Sequence, residues 1–399
     1  MELRDNGRPL RVANVIEEGR MGGPQKRLSQ IAAAVKKYNI ETTVFLPLGN
    51  YRRFREDLKE LKVDHRELQL YRLGRGGKTL LKYALHFMFD IAGLRRELRN
   101  GGFDVVHVSG GSRQFKGVIA GRLAGVPVIW HLNDTQVETP VIYLLFQILK
   151  YLASGFIVTS GRVAGYYLKG KASPGAPVFQ IQAPVDTKRF APANVKPDEQ
   201  IFSYPGTRVV SVSNISPTKG IDVLIEAAHL LSKRNASISF IVIGQIFSTQ
   251  KKYAARLRAL VREKGLEDCF HFLGWRDSVA EAMKAADIFV CPSRSESGPM
   301  SVWEAMSMGC PVVSSDVGDV SKYIQNGKNG FVVPSGNARA LADAVQRLID
   351  EPAMRIDCGA LNTEVARTHL DVEVAARKTA ECYRQIRNAH KRGSLNDKK

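Results

Sequence analysis

The sequence predicts an α/β chain of two doubly wound parallel-sheet domains. Short β-rich apolar runs alternate with amphipathic helical stretches, the pattern of a parallel sheet covered on both faces. That rhythm pauses at 183–204, a stretch rich in proline and polar residues, and then restarts. The length of 399 residues suits two or three domains of ~150 residues each.

The elements follow in order. Val12–Ile16 is a strand ending in a Gly-rich turn, and Gln25–Lys37 has helical spacing through Leu28, Ile31, Ala32 and Val35. Thr42–Leu46, Asp104–Val108, Val126–Trp130 and Gly155–Thr159 are further strands. The apolar stretch from Val141, VIYLLFQILKYLASGFIV, carries Lys150 and Gly155 and reads as a helix followed by a buried strand. After the pause, strands are expected at Arg208–Val212, Ser239–Ile243, Phe270–Leu273, Ile288–Cys291, Val312–Ser315 and Phe331–Val333. Ile221, Leu224, Ile225, Ala228 and Leu231 form one helix face, and Val372–Asn388 is a long final helical pattern. The domains are therefore expected over 1–190 and 191–370. A helix over 371–390 should return to the first domain, and residues 391–399 should be disordered.

Composition removes several classes. Hydrophobic residues make up 44% and charged residues 24%, values of an ordinary globular chain. The five cysteines (Cys269, Cys291, Cys310, Cys358, Cys382) form no CxxC pair, which excludes a zinc ribbon, and suit free thiols in a reducing cytosol. The start MELRDNGRPLRV lacks an apolar signal core, and no run of about 18 uncharged apolar residues suggests a spanning helix. A cytoplasmic protein is expected. The net charge of +19 is uneven: residues 1–190 hold 30 Lys/Arg against 16 Asp/Glu, a net +14, and the remainder 28 against 23, a net +5. The first half thus meets something acidic or a membrane surface, or is simply well solvated.

In open α/β sheets, ligands bind past the carboxyl ends of the strands, so the cleft between two such domains is the expected site. The most informative segment is Ile288–Asp316, IFVCPSRSESGPMSVWEAMSMGCPVVSSD, a strand, a loop and a helix. Pro299 suits the first turn of that helix and Ser297 its N-cap. The N–H groups of Met300 and Ser301 would then make an anion site suited to phosphate. Glu296 in the loop and Glu304 one turn into the helix are placed to accept hydrogen bonds from sugar hydroxyls. Taken singly, each also reads as an ordinary helix-end carboxylate.

This string resembles the signature of the retaining glycosyltransferases of family four (glycosyl transferases group one, GT-B fold). There, a glutamate is followed by a short turn and a second glutamate eight positions on, then Ala-Met. Glu296, Glu304 and Ala305–Met306 match, as do the Asn326–Gly327 and Gly330–Phe331 pieces of the following stretch. The resemblance covers the second domain nearly end to end and the first more loosely. It implies a GT-B architecture of two Rossmann-like domains, with the acceptor on the side of the first and a nucleotide-sugar on the second. It implies that Glu304 binds the ribose, Glu296 the transferred sugar, and Lys219, in SNISPTKGIDVLIEAA, the diphosphate. A fixed ammonium with a helix N-terminus would stabilise the departing diphosphate without a metal, so no metal or cofactor is expected. Three places depart from the pattern. Asn214 stands where the family has an arginine, with Arg294 or a first-domain residue as candidate replacement. Gly298–Pro299 replaces aromatic-Gly, and Ala183–Pro184 replaces Asn-Gly.

In the first domain, Met21–Gly22–Gly23–Pro24 lies between strand and helix. Alone it is a tight turn; the resemblance implies a loop beside the donor phosphates and the acceptor. His131 ends a strand, and the resemblance implies contact with the transferred sugar; His107 is similarly placed and reads as structural. Gly76–Gly77–Lys78–Thr79 imitates the end of a P-loop, but the first glycine would fall at Arg72. No Asp-x-Asp triplet, His-Glu-x-x-His or Gly-x-Ser-x-Gly occurs, and no compact nucleic-acid module, so nucleic acid is not expected as a partner. Residues 78–99, KTLLKYALHFMFDIAGLRRELR, are apolar in the middle and basic at both ends, with Arg72 and Arg75 just before. They read either as an interfacial helix on the inner face of an anionic membrane or as a helix packed on the first sheet. The expectation is a retaining hexosyltransferase acting on a glycan or lipid-linked acceptor in polysaccharide or lipopolysaccharide synthesis. A nucleotide-sugar epimerase on the same fold and a non-catalytic binder of acidic polymers are the alternatives.

Overall fold

The computed structural model describes residues 7–73, 76–134, 140–168, 175–234 and 237–396. The chain divides into two compact units: one runs to Gln182 and resumes at Val372, and the other is Ala183–Asp371.

The first unit alternates strands and helices: β1 (Leu10–Val15), α1 (Gly23–Ala34), β2 (Ile40–Pro47), α2 (Arg52–Glu60), β3 (Asp64–Leu68), α3 (Gly77–Asn100), β4 (Val105–Val108), α4 (Phe115–Leu123), β5 (Val128–Leu132), α5 (Pro140–Leu149), β6 (Gly155–Val158), α6 (Gly161–Tyr167) and β7 (Val178–Gln180). Its seven strands pair in parallel in the order β3-β2-β1-β4-β5-β6-β7. Alternate residues feed opposite faces, as period-two side chains must. Val106, Val108, Trp130 and Phe156 pack under α3, α4 and α5, while Val12, Val105 and Ile129 face α1 and the C-terminal segment.

The second unit comprises α7 (Glu199–Phe202), β8 (Thr207–Val212), α8 (Ile221–Ser232), β9 (Ile238–Ile243), α9 (Lys251–Glu263), β10 (Phe270–Gly274), α10 (Val279–Ala285), β11 (Ile288–Cys291), α11 (Met300–Ser307), β12 (Val312–Ser315), α12 (Val320–Tyr323), β13 (Gly330–Val333), α13 (Ala338–Asp350) and α14 (Pro352–Val365). Its six parallel strands lie in the order β10-β9-β8-β11-β12-β13. α8, α9 and α13 bury against Val209, Phe240 and Ile288 on one face; α10 and α11 bury against Phe289 and Cys291 on the other. The helices after β8 and β11 thus leave to opposite sides of neighbouring strands. That reversal opens the crevice where such sheets bind ligands. Finally α15 (Val372–Asn396) packs Ala376, Ala380, Tyr383 and Ile386 on the first sheet.

Two expectations on boundaries are corrected. The change of unit falls after Gln182, not at 190, because Val185 and Phe190 already bury in the core of the second unit and α7 buries Ile201 there. The final helix does not stop at 390: it continues to Asn396, and the remainder of the expected tail, 397–399, lies outside the described residues. Strands β3 and β7, unforeseen in the sequence, are edge strands. Their sequences, DHREL and VFQ, are too polar or too short to show apolar alternation.

Candidate functional site

In the second unit, Lys219 lies at the end of a 3-10 turn (Pro217–Lys219) after β8, and Glu296 lies in the loop after β11. β8 and β11 are neighbours at the reversal point, so residues 77 apart in sequence meet: Lys219 Nζ lies 2.6 Å from Glu296 Oε1. Ser293 Oγ donates to the same oxygen at 2.9 Å, so both bonds land on Oε1. The pair is partly buried, with side chains 27% and 15% exposed. Water is therefore partly excluded, and screening of the ammonium is weaker than at a free surface.

Gly220 holds this corner. It adopts φ +64°, and a Cβ there would lie 2.0 Å from the Pro292 carbonyl oxygen, so only glycine lets the Lys219 turn sit against the β11 loop. Arg294 lies in the same corner but is committed: its guanidinium grips Asp222 at 2.7 and 2.6 Å and the Pro217 carbonyl at 3.1 Å. Asp222 sits in the first turn of α8, and its carboxyl is lowered by the bonds from Arg294 and Tyr253 against the raising effect of burial. Arg294 thus locks the corner together. As the replacement for the arginine missing at Asn214, it would first have to release Asp222. Asn214 itself is exposed.

α11 begins at Met300 with Pro299 as its N-cap and no side-chain cap, so Ser297 does not fill the expected N-cap role. The cause is local: Pro299 has ψ 89°, outside the helical range, so the helix starts one residue later. The N–H groups of Met300 and Ser301 precede the first intrahelical bond, Val302 N–H to Pro299 O at 2.9 Å, and find no backbone acceptor among the described residues, which suits them to an anion. Glu304 lies within α11, half-buried, while its neighbours Val302, Trp303, Ala305 and Met306 fill the core.

In the first unit, Gly22 is the N-cap of α1 and Gly23 its first residue; both are exposed. Gly22 has extended backbone, and a Cβ there would meet nothing nearer than 3.4 Å. Neither conformation nor packing demands glycine at that position. The loop is tied down by Gln25, whose Nε2 donates to the Glu18 carbonyl at 2.7 Å.

His131 lies inside β5 and is 1% exposed. Its Nδ1 is 2.9 Å from Nη1 of Arg27, which reaches over from α1 and is itself 4% exposed. Burial first, then the Arg27 guanidinium and His107, hold the imidazole well below its ordinary range, so it is neutral. His107 is 2% exposed and paired with the Tyr383 hydroxyl at 2.7 Å, in keeping with a structural role.

Sequence reasoning missed Arg27, Ser293, Asp222 and a buried charge cluster around Lys116. The signal for Arg27 was a charge on the apolar stripe of its helix, directly before Leu28. In the cluster, Lys116 Nζ lies 2.6 Å from Asp90 Oδ2, with side chains 0% and 2% exposed, and 4.0 Å from the Tyr83 ring centroid. Glu17, 2% exposed, accepts the Lys116 N–H on Oε1 at 3.2 Å, while Oε2 finds no hydrogen-bond partner among the described residues. Burial pushes its carboxyl up to about 7 from 4.5, against the opposing pull of Lys116. The unfolded chain loses this proton near 4.5 and the folded chain near 7. Stability therefore falls as pH rises between those values and is level above them, by about 3 kcal/mol at most. Glu17→Gln is expected to flatten that decline and raise the melting temperature at pH 8 more than at pH 5, read by thermal melts at both.

Among the described residues no group of three His, Cys, Asp or Glu is placed to hold a metal ion. No helix among them is long and apolar enough to cross a membrane.

Comparison with known proteins follows the two units. Residues 198–364 match the family described as Glycosyl transferases group 1, and residues 21–189 match Glycosyltransferase Family 4. The D-inositol 3-phosphate glycosyltransferase of Pseudarthrobacter chlorophenolicus is 30% identical over 306 residues, 71% of each chain. The amylovoran biosynthesis glycosyltransferase AmsK of Erwinia amylovora is 28% identical over 187 residues. That match spans 45% of each chain, so the present chain covers less than half of this relative. Among solved structures, Anabaena Alr3699/HepE in complex with UDP superposes with a TM-score of 0.80 at 19% identity, over 94% of this chain and all of that one, and shares the fold.

Proposed function

Because the chain belongs to the glycosyl transferases group 1 family and has the GT-B fold, we propose that it is a retaining, metal-independent hexosyltransferase. It moves a hexose from a nucleotide-sugar to a hydroxyl of a polysaccharide, lipopolysaccharide or lipid-linked intermediate. The observation that carries this reading is the Lys219–Glu296 pair at the β8/β11 reversal point. UDP bound in the Anabaena structure of the same fold supports a nucleoside diphosphate as the leaving group here.

The roles follow from charge. With donor bound, Lys219 exchanges Glu296 for the diphosphate and neutralises charge as the sugar–phosphate bond breaks. The N–H groups of Met300 and Ser301 take phosphate oxygens at the start of α11. Glu296, freed from the ammonium, accepts from hydroxyls of the transferred sugar, and Glu304 accepts from the ribose. The resemblance assigns the transferred sugar to His131, a contact that requires its buried ring to be uncovered, and phosphate and acceptor to the glycine loop at Gly22–Gly23. The acceptor oxygen bonds to the anomeric carbon on the face the diphosphate leaves, and its proton passes to the departing phosphate oxygen.

The experiment is incubation of the full chain with UDP-, GDP- and ADP-hexoses, with and without a lipid-linked saccharide, followed by proton NMR of the anomeric signals. Product is expected only with acceptor present, with the donor's anomeric configuration. Conversion of donor alone would indicate an epimerase. Polymer binding without product would indicate a non-catalytic binder.

The surface of the first unit supports an acceptor at an anionic membrane. α3 exposes Leu80, Leu81, Leu85, Met88 and Phe89 beside Lys78 and Lys82, so it is packed on the sheet through Ile91, Leu94 and Leu98 yet apolar towards solvent. α5, the helix expected before the buried strand β6, buries Phe146 and exposes Val141, Leu144, Leu145 and Ile148. Both helices lie on the face covered by α4. A pocket of about 540 Å³ opens at the start of α3 between Tyr51, Tyr71, Arg72, Lys78 and Lys82. Arg75 lies outside the described residues. Apolar side chains ringed by cations suit the interface of an anionic bilayer. Changing Arg95, Arg96 and Arg99 together to Glu is expected to lower co-sedimentation with anionic phospholipid vesicles several-fold; unchanged sedimentation removes the membrane from the account.

A further inference from the structure

The first unit carries a groove with two unlike ends. Two pockets, of about 540 and 380 Å³, lie along α3, and both are lined by Gln69, which follows the edge strand β3. On α3 the first is walled by Lys78 and Lys82, the second by His86, Phe89, Gly93 and Arg96. These positions recur every three or four residues, so they form one stripe of the helix, about 27 Å long. Tyr71 lines the first pocket and His86 the second. Their rings meet at 4.4 Å between centroids, so this pair stands where the two pockets join.

One end is cationic. Arg72, Lys78 and Lys82 line it together with Tyr51 and Tyr71. Lys78 and Lys82 are exposed and have no acidic partner among the described residues, while Arg72 is shared with Glu18. The other end is apolar, with Leu68, Leu94 and a Phe89 that is 77% exposed. Asp90 also borders it, but Lys116 holds that carboxylate at 2.6 Å. Gly93 is the odd residue of the stripe. A glycine inside a helix weakens it relative to alanine and needs a reason. A Cβ at Gly93 would meet nothing within 4 Å, so packing within the chain supplies none. What the bare position does is keep the apolar end of the groove open.

We propose that this groove binds one phosphorylated lipid, with its phosphate or diphosphate among Arg72, Lys78 and Lys82 and its hydrocarbon along His86, Phe89 and Gly93. The two ends together select that class. Three cations suit a group of two or more negative charges and gain little from a neutral sugar. The apolar stretch beyond them rewards a hydrocarbon and leaves a free phosphate or a nucleotide using half the groove. The cationic end also adjoins the loop after β1. Added Cβ atoms at Gly19 and Gly49 would come within 2.4 and 2.7 Å of the Tyr51 ring, and Arg72 bonds to Glu18. The phosphorylated end is thus directed towards the loop that carries Gly22 and Gly23. That the lipid belongs to the acceptor rests on the functional reading above; the ligand class of the groove does not.

The test is calorimetric titration of the full chain with farnesyl diphosphate, a water-soluble lipid diphosphate, with inorganic diphosphate and farnesol as controls. Farnesyl diphosphate is expected to bind at one site, and each control about tenfold or more weakly, because each carries only one half of the recognised pattern. Lys78→Glu combined with Lys82→Glu should weaken binding about tenfold or more. Gly93→Leu fills the apolar end and should weaken it to a similar degree without lowering the melting temperature, because leucine is the better helix former. Lys219→Ala should bind the probe as the wild type does, which separates the groove from the diphosphate corner of the second unit. Absence of binding would overturn the proposal. So would inorganic diphosphate binding as tightly as its farnesyl ester, the mark of a site for free phosphate, or farnesol binding as tightly. Undiminished affinity in the double lysine variant or in folded Gly93→Leu, or affinity lost in Lys219→Ala, would overturn it too. The expected groove binding with no transfer from any donor to a lipid-linked saccharide would instead defeat the functional reading.

Discussion

Lys219→Ala is expected to lower transfer by about 100-fold or more, the loss seen when a preorganised charge-stabilising donor is removed. The effect should lie mainly in kcat, because the ammonium is most needed as the diphosphate gains charge. The fold should survive. Lys219 is partly exposed, and a pair of this kind contributes on the order of 0–1 kcal/mol to stability. Ser293 remains to hold Glu296 in place. Steady-state rates alongside a thermal melt separate the two effects, and normal turnover would remove Lys219 from the mechanism.

The second large effect is structural. Gly220→Ala asks an L-residue to adopt φ +64° and drives a Cβ to 2.0 Å from a carbonyl oxygen. The left-handed conformation alone costs about 1–2 kcal/mol. The clash adds to it, because the atom opposed is backbone and does not move aside as a side-chain tip would. A loss of about 3 kcal/mol or more is expected, together with loss of transfer, because relief of the clash must separate the Lys219 turn from the loop that carries Ser293, Arg294 and Glu296. Gly327 is the internal control. It too has positive φ, +76°, but open space where the Cβ would go, so Gly327→Ala should cost only the conformational part. Equal melting shifts for the two substitutions would show that the close approach at Pro292 is unimportant.

Much of this was legible in the sequence for definite reasons. Central strands such as β11 and β12 are continuous apolar runs bounded by polar loops, and their limits were found to the residue. Edge strands β3 and β7 bury too little apolar surface to leave a pattern. The Glu296–Glu304 string was visible because a loop and helix carry it within one segment. The Lys219–Glu296 contact was less visible because it depends on β8 and β11 being neighbours, a fact of strand order rather than of local sequence. Arg294 had the right charge but the wrong availability: nothing in the sequence shows that Asp222, in the first turn of α8, takes its guanidinium. The buried cluster of Glu17, Asp90 and Lys116 was hidden for a similar reason. Asp90 sits in FMFDIAGL, and only the approach of α4 to α3 brings Lys116 to it.

The central claim is that the corner built from Lys219, Glu296 and the start of α11 binds the diphosphate of a nucleotide-sugar. Calorimetric titration of the wild type and of Lys219→Ala with UDP, GDP and ADP tests it most directly. One nucleoside diphosphate is expected to bind the wild type at a single site and the variant about tenfold or more weakly, the loss of one charge-assisted contact. Equal affinity in the two proteins, or no binding of any nucleoside diphosphate to the wild type, would contradict it.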